Sequence, residues 1–381
     1  MHYPKTALGV CTIAHFMNDG MTVVLSIILP FLISKYGLSY YQAGLIVTCF
    51  YVTQTFIQPL LGYASDRTGG RKIYLGLGLI LFSISLYGLQ FAQTYALALT
   101  LALLAGIGAT FYHPQGTAIV SEAYPNRRGF ALGVHGSGGS AGNAFYPMMI
   151  AFIASLYGWP ASLAPVLALG LLGGLATIVF LKDTMLLSQK RSLRTELSSA
   201  LLILTLVALL RSFSYSGMVN FIPTFFVRER GLDITIAASF TSIMLGAGIA
   251  SQPLGGYFSD KVSRRFLLGA SLLALSICFP CSMIATYPTS LVLLAASGLA
   301  LFMSYPIILA IAGDIVPNRE MGTAIGIVFG LGHMGGNTIA PIVVGKAADY
   351  IGLGQALLLM SAFSLIGAVF CILLPKRKIE Q

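Results

Sequence analysis

Apolar runs of twenty residues or more recur along the whole of this sequence, with only short polar stretches between them. This pattern constrains the chain more than any single motif. In hydrocarbon every backbone N–H and C=O must be paired within the protein. An apolar run of about 20 residues achieves this as an α-helix that crosses the bilayer. Transmembrane β-strands would be shorter and would alternate in polarity, which these runs do not. Composition agrees, since 56% of the 381 residues are hydrophobic and 9% are charged, against about 25% charged in a soluble domain. The surplus of apolar side chains needs lipid as its solvent. The expected fold is therefore an all-α membrane protein with about twelve transmembrane helices. They fall at 7–34, 41–64, 72–92, 95–122, 128–157, 160–182, 198–227, 234–259, 265–285, 289–315, 321–348 and 353–374. The first run, Ala7 to Ser34, is too long for a signal peptide and contains His15, Asn18 and Asp19, so it counts as a span.

The net charge of +10 does not indicate nucleic acid, because the basic residues sit in short loops and not in a patch with interleaved aromatics. They report topology instead. With both termini cytoplasmic, Lys35, Arg228, Arg230 and Lys346 lie at outer ends and Arg211 lies inside a span. That leaves 17 of the 22 Lys and Arg in inner segments, as the positive-inside rule requires. An inner-membrane protein with an even number of crossings is expected, working as a monomer. Five cysteines all fall within apolar runs. Cys278 and Cys281 have CxxC spacing but lack a second Cys/His pair nearby, so packing explains them and neither metal nor cofactor is expected.

The two halves repeat each other. Gln58-Pro-Leu-Leu-Gly-Tyr-Ala-Ser-Asp66-Arg67 recurs as Gln252-Pro-Leu-Gly-Gly-Tyr-Phe-Ser-Asp260-Lys261. His113-Pro114 through Glu122 to Arg127 recurs as Tyr305-Pro306 through Asp314 to Arg319, and Gly142-Asn143 recurs as Gly336-Asn337. Two six-helix bundles, 1–182 and 198–381, joined by a cytoplasmic linker 183–197 with Lys190, Arg191 and Arg194, follow from this repeat. Six crossings per copy give parallel repeats, with a substrate site expected near the midplane.

Gly62-x-x-x-Asp66-Arg67-x-Gly69-Gly70-Arg71-Lys72 matches the loop 2–3 signature of the major facilitator superfamily, and the whole chain resembles that family. The second copy, Gly256-x-x-x-Asp260-Lys261 with Arg265, is degraded. His15-Phe-Met-Asn18-Asp19, Phe111-Tyr-His113-Pro114 and Gly138-Gly139-x-x-Gly142 are similar to the fosmidomycin-resistance exporters. That resemblance implies proton-driven export of small phosphonate-like or other anionic compounds. It also implies that Asp66, Arg67, Arg71, Lys72, Asp260, Arg127 and Arg128 gate the cytoplasmic face. Glu122 and Asp314, matched by the repeat, would complete the inner ion pairs. Two features depart from drug antiporters. Ala102 and Ala105 stand where an Arg and a Gln often precede Gly106-x-Gly108, and Tyr146 precedes Pro147 where a Gly is expected.

Ionisable groups within spans are costly and mark function. Asp19 follows His15 by four residues, so both project from one helix face about 6 Å apart, and such a pair can take up and release a proton. The alternative is a pair that ties helix 1 to a neighbour. His113 precedes Pro114, which frees a carbonyl one turn earlier and kinks the helix; it is a proton or ligand site, or a donor to that carbonyl. Arg211 offers an always charged fork for carboxylate or phosphate oxygens, with Tyr215 one turn on. It binds an anion, neutralises Asp19, or snorkels to the interface. Asn18, His333 and Asn337 complete the candidate substrate contacts, and His135 is a further intramembrane histidine. Glycines 129, 133, 136, 138, 139 and 142 in helix 5 have counterparts in helix 11 and allow close helix approach.

The expected function is proton-coupled export of a small, anionic organic compound or drug by alternating access. Alternatives are an importer or uniporter for an organic anion, a metal-ion carrier using His15, Asp19 and His113, or a sensor that keeps the fold. No nucleophile–base pair or cofactor motif suggests an enzyme.

Overall fold

The computed structural model describes residues 3–68, 70–182, 198–316 and 321–375, and among them no strand occurs. The linker expected at 183–197, with Lys190, Arg191 and Arg194, lies outside the described residues, as do Gly69 and Arg319. The chain divides into two compact units. One is Met1–Gln189 with Ile222–Ser242, and the other is Lys190–Phe221 with Ile243–Gln381.

The first unit is built from α1 (Tyr3–Thr22), α2 (Val24–Tyr36), α3 (Tyr40–Thr68), α4 (Arg71–Gly88), α5 (Tyr95–Thr110), α6 (His113–Ala123), α7 (Arg128–Tyr157) and α8 (Trp159–Phe180). Here α1 packs on α7 and α8, α4 on α5 and α8, and α3 on α5. The later helices are α9 (Ser199–Arg228), α10 (Ile234–Gly246), α11 (Gly248–Lys261), α12 (Arg264–Ile284), α13 (Tyr287–Ile315), α14 (Met321–Ile327), α15 (Gly335–Ile351) and α16 (Leu353–Phe370). In the second unit α12 packs on α13 and α16, and α11 packs on α13. Leu201, Leu204, Leu268, Leu272, Ile307 and Ile311 belong to its dry core. Phe152, Leu172 and Val179 in the first unit and Val292 and Ile372 in the second stay exposed, as a surface solvated by lipid requires.

Among the described residues, ten helical segments are long and apolar enough to cross a membrane. Two more of the twelve expected spans, α3 with 29 residues and α7 with 30, have the length but more polar faces. In α3 these carry Gln42, Thr53, Gln54 and Gln58; in α7, His135, Ser137, Ser140 and Asn143. Polarity of this kind within a span points to a helix that faces protein or a cavity.

Several expected spans are interrupted helices. The fourth breaks at Phe111 and Tyr112, between α5 and α6. Pro114 has no N–H to give to the carbonyl of Thr110. The N–H groups of Phe111 and Tyr112 instead donate to the carbonyls of Gly108 and Ala109, three residues back, at 3.3 Å each. The break therefore starts a new helix at His113. Between α14 and α15 the chain winds as a π-helix over Val328–Met334, a rare conformation that is frequent at functional sites.

The glycine-rich spans divide into two classes. In α7, Gly138 and Gly142 lie against the backbone carbonyls of Thr12 and Phe16 of α1, where a Cβ would collide. The second unit repeats this crossing, with Gly332 against the carbonyl of Thr205 and Gly336 against that of Leu209. By contrast Gly133, Gly136, Gly326 and Gly330 have open space where a Cβ would stand. In this conformation only part of the stripe makes the close helix approach expected of it.

Candidate functional site

In the first unit, His15 and Asp19 stand one turn apart on α1, and the break before α6 brings His113 to them. His15 Nε2 lies 3.2 Å from Asp19 Oδ2, and His113 Nε2 lies 3.6 Å from Asp19 Oδ1. The side-chain amide of Asn18 donates to Asp19 Oδ1 at 3.1 Å. On its other side, His15 Nδ1 is 2.8 Å from the backbone carbonyl of His135. A carbonyl oxygen only accepts, so Nδ1 carries the hydrogen and donates. Neutral His15 then turns a lone pair toward a carboxylate oxygen. Two acceptors at 3.2 Å repel unless a proton or a metal cation stands between them.

Aromatic rings wall the cluster. His135 stacks on His15 at 4.4 Å, and Tyr112 does so at 5.1 Å while donating its hydroxyl to the carbonyl of Cys11 at 2.6 Å. Gly139 supplies the room. A Cβ there would stand 2.5 Å from Asp19 Oδ2 and 2.6 Å from His15 Nε2.

The second unit holds a basic counterpart. Arg211 is 3% exposed, so its guanidinium stays inside the unit and does not snorkel outward. Its Nε donates to Ser304 Oγ at 3.1 Å and one terminal nitrogen to the carbonyl of Leu301 at 3.1 Å. The other terminal nitrogen lies 3.4 Å from His333 Nδ1, which also contacts Ser212 Oγ at 2.5 Å. The ring of Tyr215 is 5.5 Å from the guanidinium carbon. Among the described residues no carboxylate lies within 4.0 Å of Arg211. Arg211, Ser212, Tyr305, Phe329 and His333 line a depression with the aliphatic side chains of Ala208, Ile308, Leu309 and Val328. His333 reaches it from the π-helical turn. Asn337 is buried nearby in sequence, with its carbonyl accepting from Ser216 Oγ at 2.9 Å and its side-chain oxygen without a partner.

Four of the expected gate residues, Arg71, Glu122, Asp260 and Asp314, form ion pairs within their units. Arg71, 2% exposed, pairs with Glu122. In the other unit Arg264 bridges Asp314 at 2.6 Å and Asp260 at 3.1 Å. Arg265, which the sequence motif singled out, reaches instead the carbonyls of Ile372 and Leu374. Lys72 is half-buried and Arg127 exposed. The side chains of Asp66, Arg67 and Arg128 lie outside the described residues.

Of the candidate residues, the structure brings together His15, Asn18, Asp19 and His113 in one cluster, and Arg211, Tyr215 and His333 in another. Sequence reasoning missed Tyr112, Ser212, Ser304, Tyr305 and Arg264. The repeat carried a signal for two of them, since Tyr305 corresponds to His113 and Arg264 to Arg71. No local pattern marked the three others.

Comparison with known proteins bears on what these clusters belong to. The chain is 26% identical to the fosmidomycin resistance protein of Escherichia coli, over 97% of this chain and 93% of that protein. It is 26% identical to a probable sulfoacetate transporter of Cupriavidus necator, over 91% of this chain and 87% of the relative. Its fold is similar to that of a bacterial homologue of the human lysosomal transporter Spinster, in an inward-facing and occupied conformation. The TM-score is 0.85 and the identity 18%, over 98% of this chain and 97% of that one. The model of the Major Facilitator Superfamily matches residues 10–251 and 204–381. With that match spanning nearly the whole helical chain, the protein belongs to the Major Facilitator Superfamily and is an integral membrane transporter, not an enzyme.

Proposed function

We propose that this transporter exports a small organic anion in exchange for protons, by alternating access of two bundles, 1–182 and 198–381. One observation carries the proton half of this reading. His15 Nε2 and Asp19 Oδ2 face each other at 3.2 Å with His15 Nδ1 already committed to a carbonyl, so the gap is satisfied by one proton and repulsive without it. A carrier must close its cycle either protonated or loaded, and a site with two such states supports that rule. His113 borders the same carboxylate and passes the proton on.

The anion half is supported by Arg211, a buried guanidinium with no carboxylate partner among the described residues. An ion withdrawn from water costs several kcal/mol unless it is paired, and a substrate oxyanion supplies the pair. Tyr215, His333, Asn18 and Asn337 complete the proposed contacts. A relative named for sulfoacetate, itself an anion, agrees with this cargo. A relative named for fosmidomycin resistance agrees with export. The ion pairs of Arg71 and Glu122, and of Arg264 with Asp260 and Asp314, act in this scheme as gate contacts with Asp66, Arg67, Lys72 and Arg127. The protein would work as a monomer in the inner membrane with both termini cytoplasmic.

A second reading, import or uniport of an organic anion, is favoured by Ala102 and Ala105. Both are fully buried where antiporters often carry Arg and Gln. The deciding experiment is a screen of sulfonates, phosphonates and carboxylates in proteoliposomes with an imposed pH gradient. Export coupled to proton entry supports the first reading. Transport that ignores the gradient supports the second.

A further inference from the structure

We propose that His15, Asp19 and His113 form a binding site for a divalent transition-metal cation of the zinc class. The inference needs no assumption about what the transporter carries. One nitrogen from each histidine and one oxygen of Asp19 all lie within 4.8 Å of one another. A tetrahedral ion with bonds of about 2.0–2.1 Å holds its ligands about 3.3–3.4 Å apart. His15 Nε2 stands 3.2 Å from Asp19 Oδ2, and His113 Nε2 stands 3.6 Å from the other carboxylate oxygen, Oδ1. The three ligand atoms would have to draw together on one carboxylate oxygen, and His113, with a third of its side chain exposed, is the ligand with room to turn.

The donor set selects the ion. Imidazole nitrogens suit zinc and its neighbours, whereas magnesium and calcium ask for oxygen ligands. A second observation points the same way. Metal-binding histidines almost always donate their other N–H to a carbonyl or carboxylate, which fixes the ligating nitrogen. His15 does this through Nδ1 to the carbonyl of His135 at 2.8 Å, leaving Nε2 for the ion. The carboxylate is held in turn by Asn18. Gly139 keeps the space beside both ligand atoms free of a side chain. Three protein ligands leave a fourth position for water. The cation also compensates a carboxylate held within a membrane-spanning helix, where an uncompensated charge is costly.

The test uses the full-length chain in detergent, without a histidine tag, titrated with zinc chloride against a chromophoric chelator. One equivalent should bind, and excess magnesium should not displace it. His15→Gln and His113→Gln should each weaken binding at least about tenfold, the low end of what even an outer partner of a ligand contributes. Asp19→Asn, which keeps the shape of the side chain, should do the same if either histidine variant fails to fold. His333→Gln in the other unit should bind zinc as the unmodified chain does. X-ray absorption of the loaded protein should show nitrogen and oxygen ligands at about 2.0–2.1 Å. The proposal is overturned if the unmodified chain binds no zinc, or if Asp19→Asn and the folded histidine variants bind it undiminished. No gradient enters the titration, so a failure of proton coupling in liposomes leaves its outcome unchanged.

Discussion

On the proposed function, replacing Asp19 by asparagine should separate proton coupling from substrate movement. Of the two gaps at Asp19, the shorter lies between His15 Nε2 and Asp19 Oδ2 at 3.2 Å, with the other nitrogen of His15 bound to a carbonyl, and it is the place the proposed mechanism gives the proton. One proton held there per cycle is the stoichiometry to be tested. A pH difference of one unit is worth about 1.4 kcal/mol per proton. With the membrane potential clamped at zero, it therefore sustains about a tenfold substrate gradient. In the Asp19→Asn variant the new side-chain amide would donate its N–H to the His15 nitrogen and satisfy the gap permanently. The variant should then show no accumulation driven by the pH gradient, a ratio of about one instead of about ten. Counterflow of labelled against unlabelled substrate, with no gradient, should persist, because the loaded carrier still changes state. Both assays run on the same liposomes. A tenfold gradient retained by Asp19→Asn would refute the reasoning and leave Asp19 as a structural tie between α1 and α6.

Three further outcomes are expected. Arg211→Lys loses the planar fork while keeping a charge, so anion affinity measured by equilibrium binding should fall about tenfold or more, the loss of one strong charge-assisted bond, with proton coupling unchanged; unaltered affinity would remove Arg211 from the site. Gly142→Ala puts a methyl against the carbonyl of Phe16 and should cost about 1–3 kcal/mol, seen as a lower melting temperature, whereas Gly136→Ala, with open space around it, should melt as the unmodified chain does. Glu122→Gln takes a negative charge from beside the buried Arg71, and with Asp66→Asn it should slow turnover while substrate affinity stays within about threefold, less than about 0.7 kcal/mol; a large loss of affinity would move these residues from the gate to the binding site.

The fold was legible in the sequence because apolar length and the repeat are properties of whole segments. Helix interruptions were partly legible. Pro114 announced the break before α6, but no proline stands in Val328–Met334, and the π-helical turn that presents His333 left no mark on composition. The pairing of His15 with Asp19 follows from helical spacing. Their meeting with His113, distant in sequence, depends on the packing of α6 against α1, which spacing cannot supply. The degenerate second loop signature led to Arg265. Register by the repeat leads from Arg71 to Arg264, and the ion pair follows the register. Glycines at 133 and 142 look alike in the sequence. Only the helix crossing shows that one meets open space and the other a backbone.

The repeated crossing also aligns the two clusters residue by residue. Gly138 meets Thr12 and Gly142 meets Phe16 as Gly332 meets Thr205 and Gly336 meets Leu209. In that register Asn18 corresponds to Arg211, Asp19 to Ser212, Gly139 to His333 and His113 to Tyr305. The same backbone positions therefore carry an acid with imidazoles in one unit and a guanidinium with hydroxyls in the other. Where a glycine leaves room beside Asp19, a histidine fills the space beside Ser212 and touches Arg211. A few substitutions on a duplicated scaffold exchange a carboxylate between imidazoles for a buried guanidinium. If the proposed function holds, proton and substrate occupy different units, and the coupling between them has to pass through the shared change of state, not through direct competition for one site. For the same reason Asp19→Asn and Arg211→Lys should fail in different assays, though both alter charged groups at neighbouring register positions of the repeat.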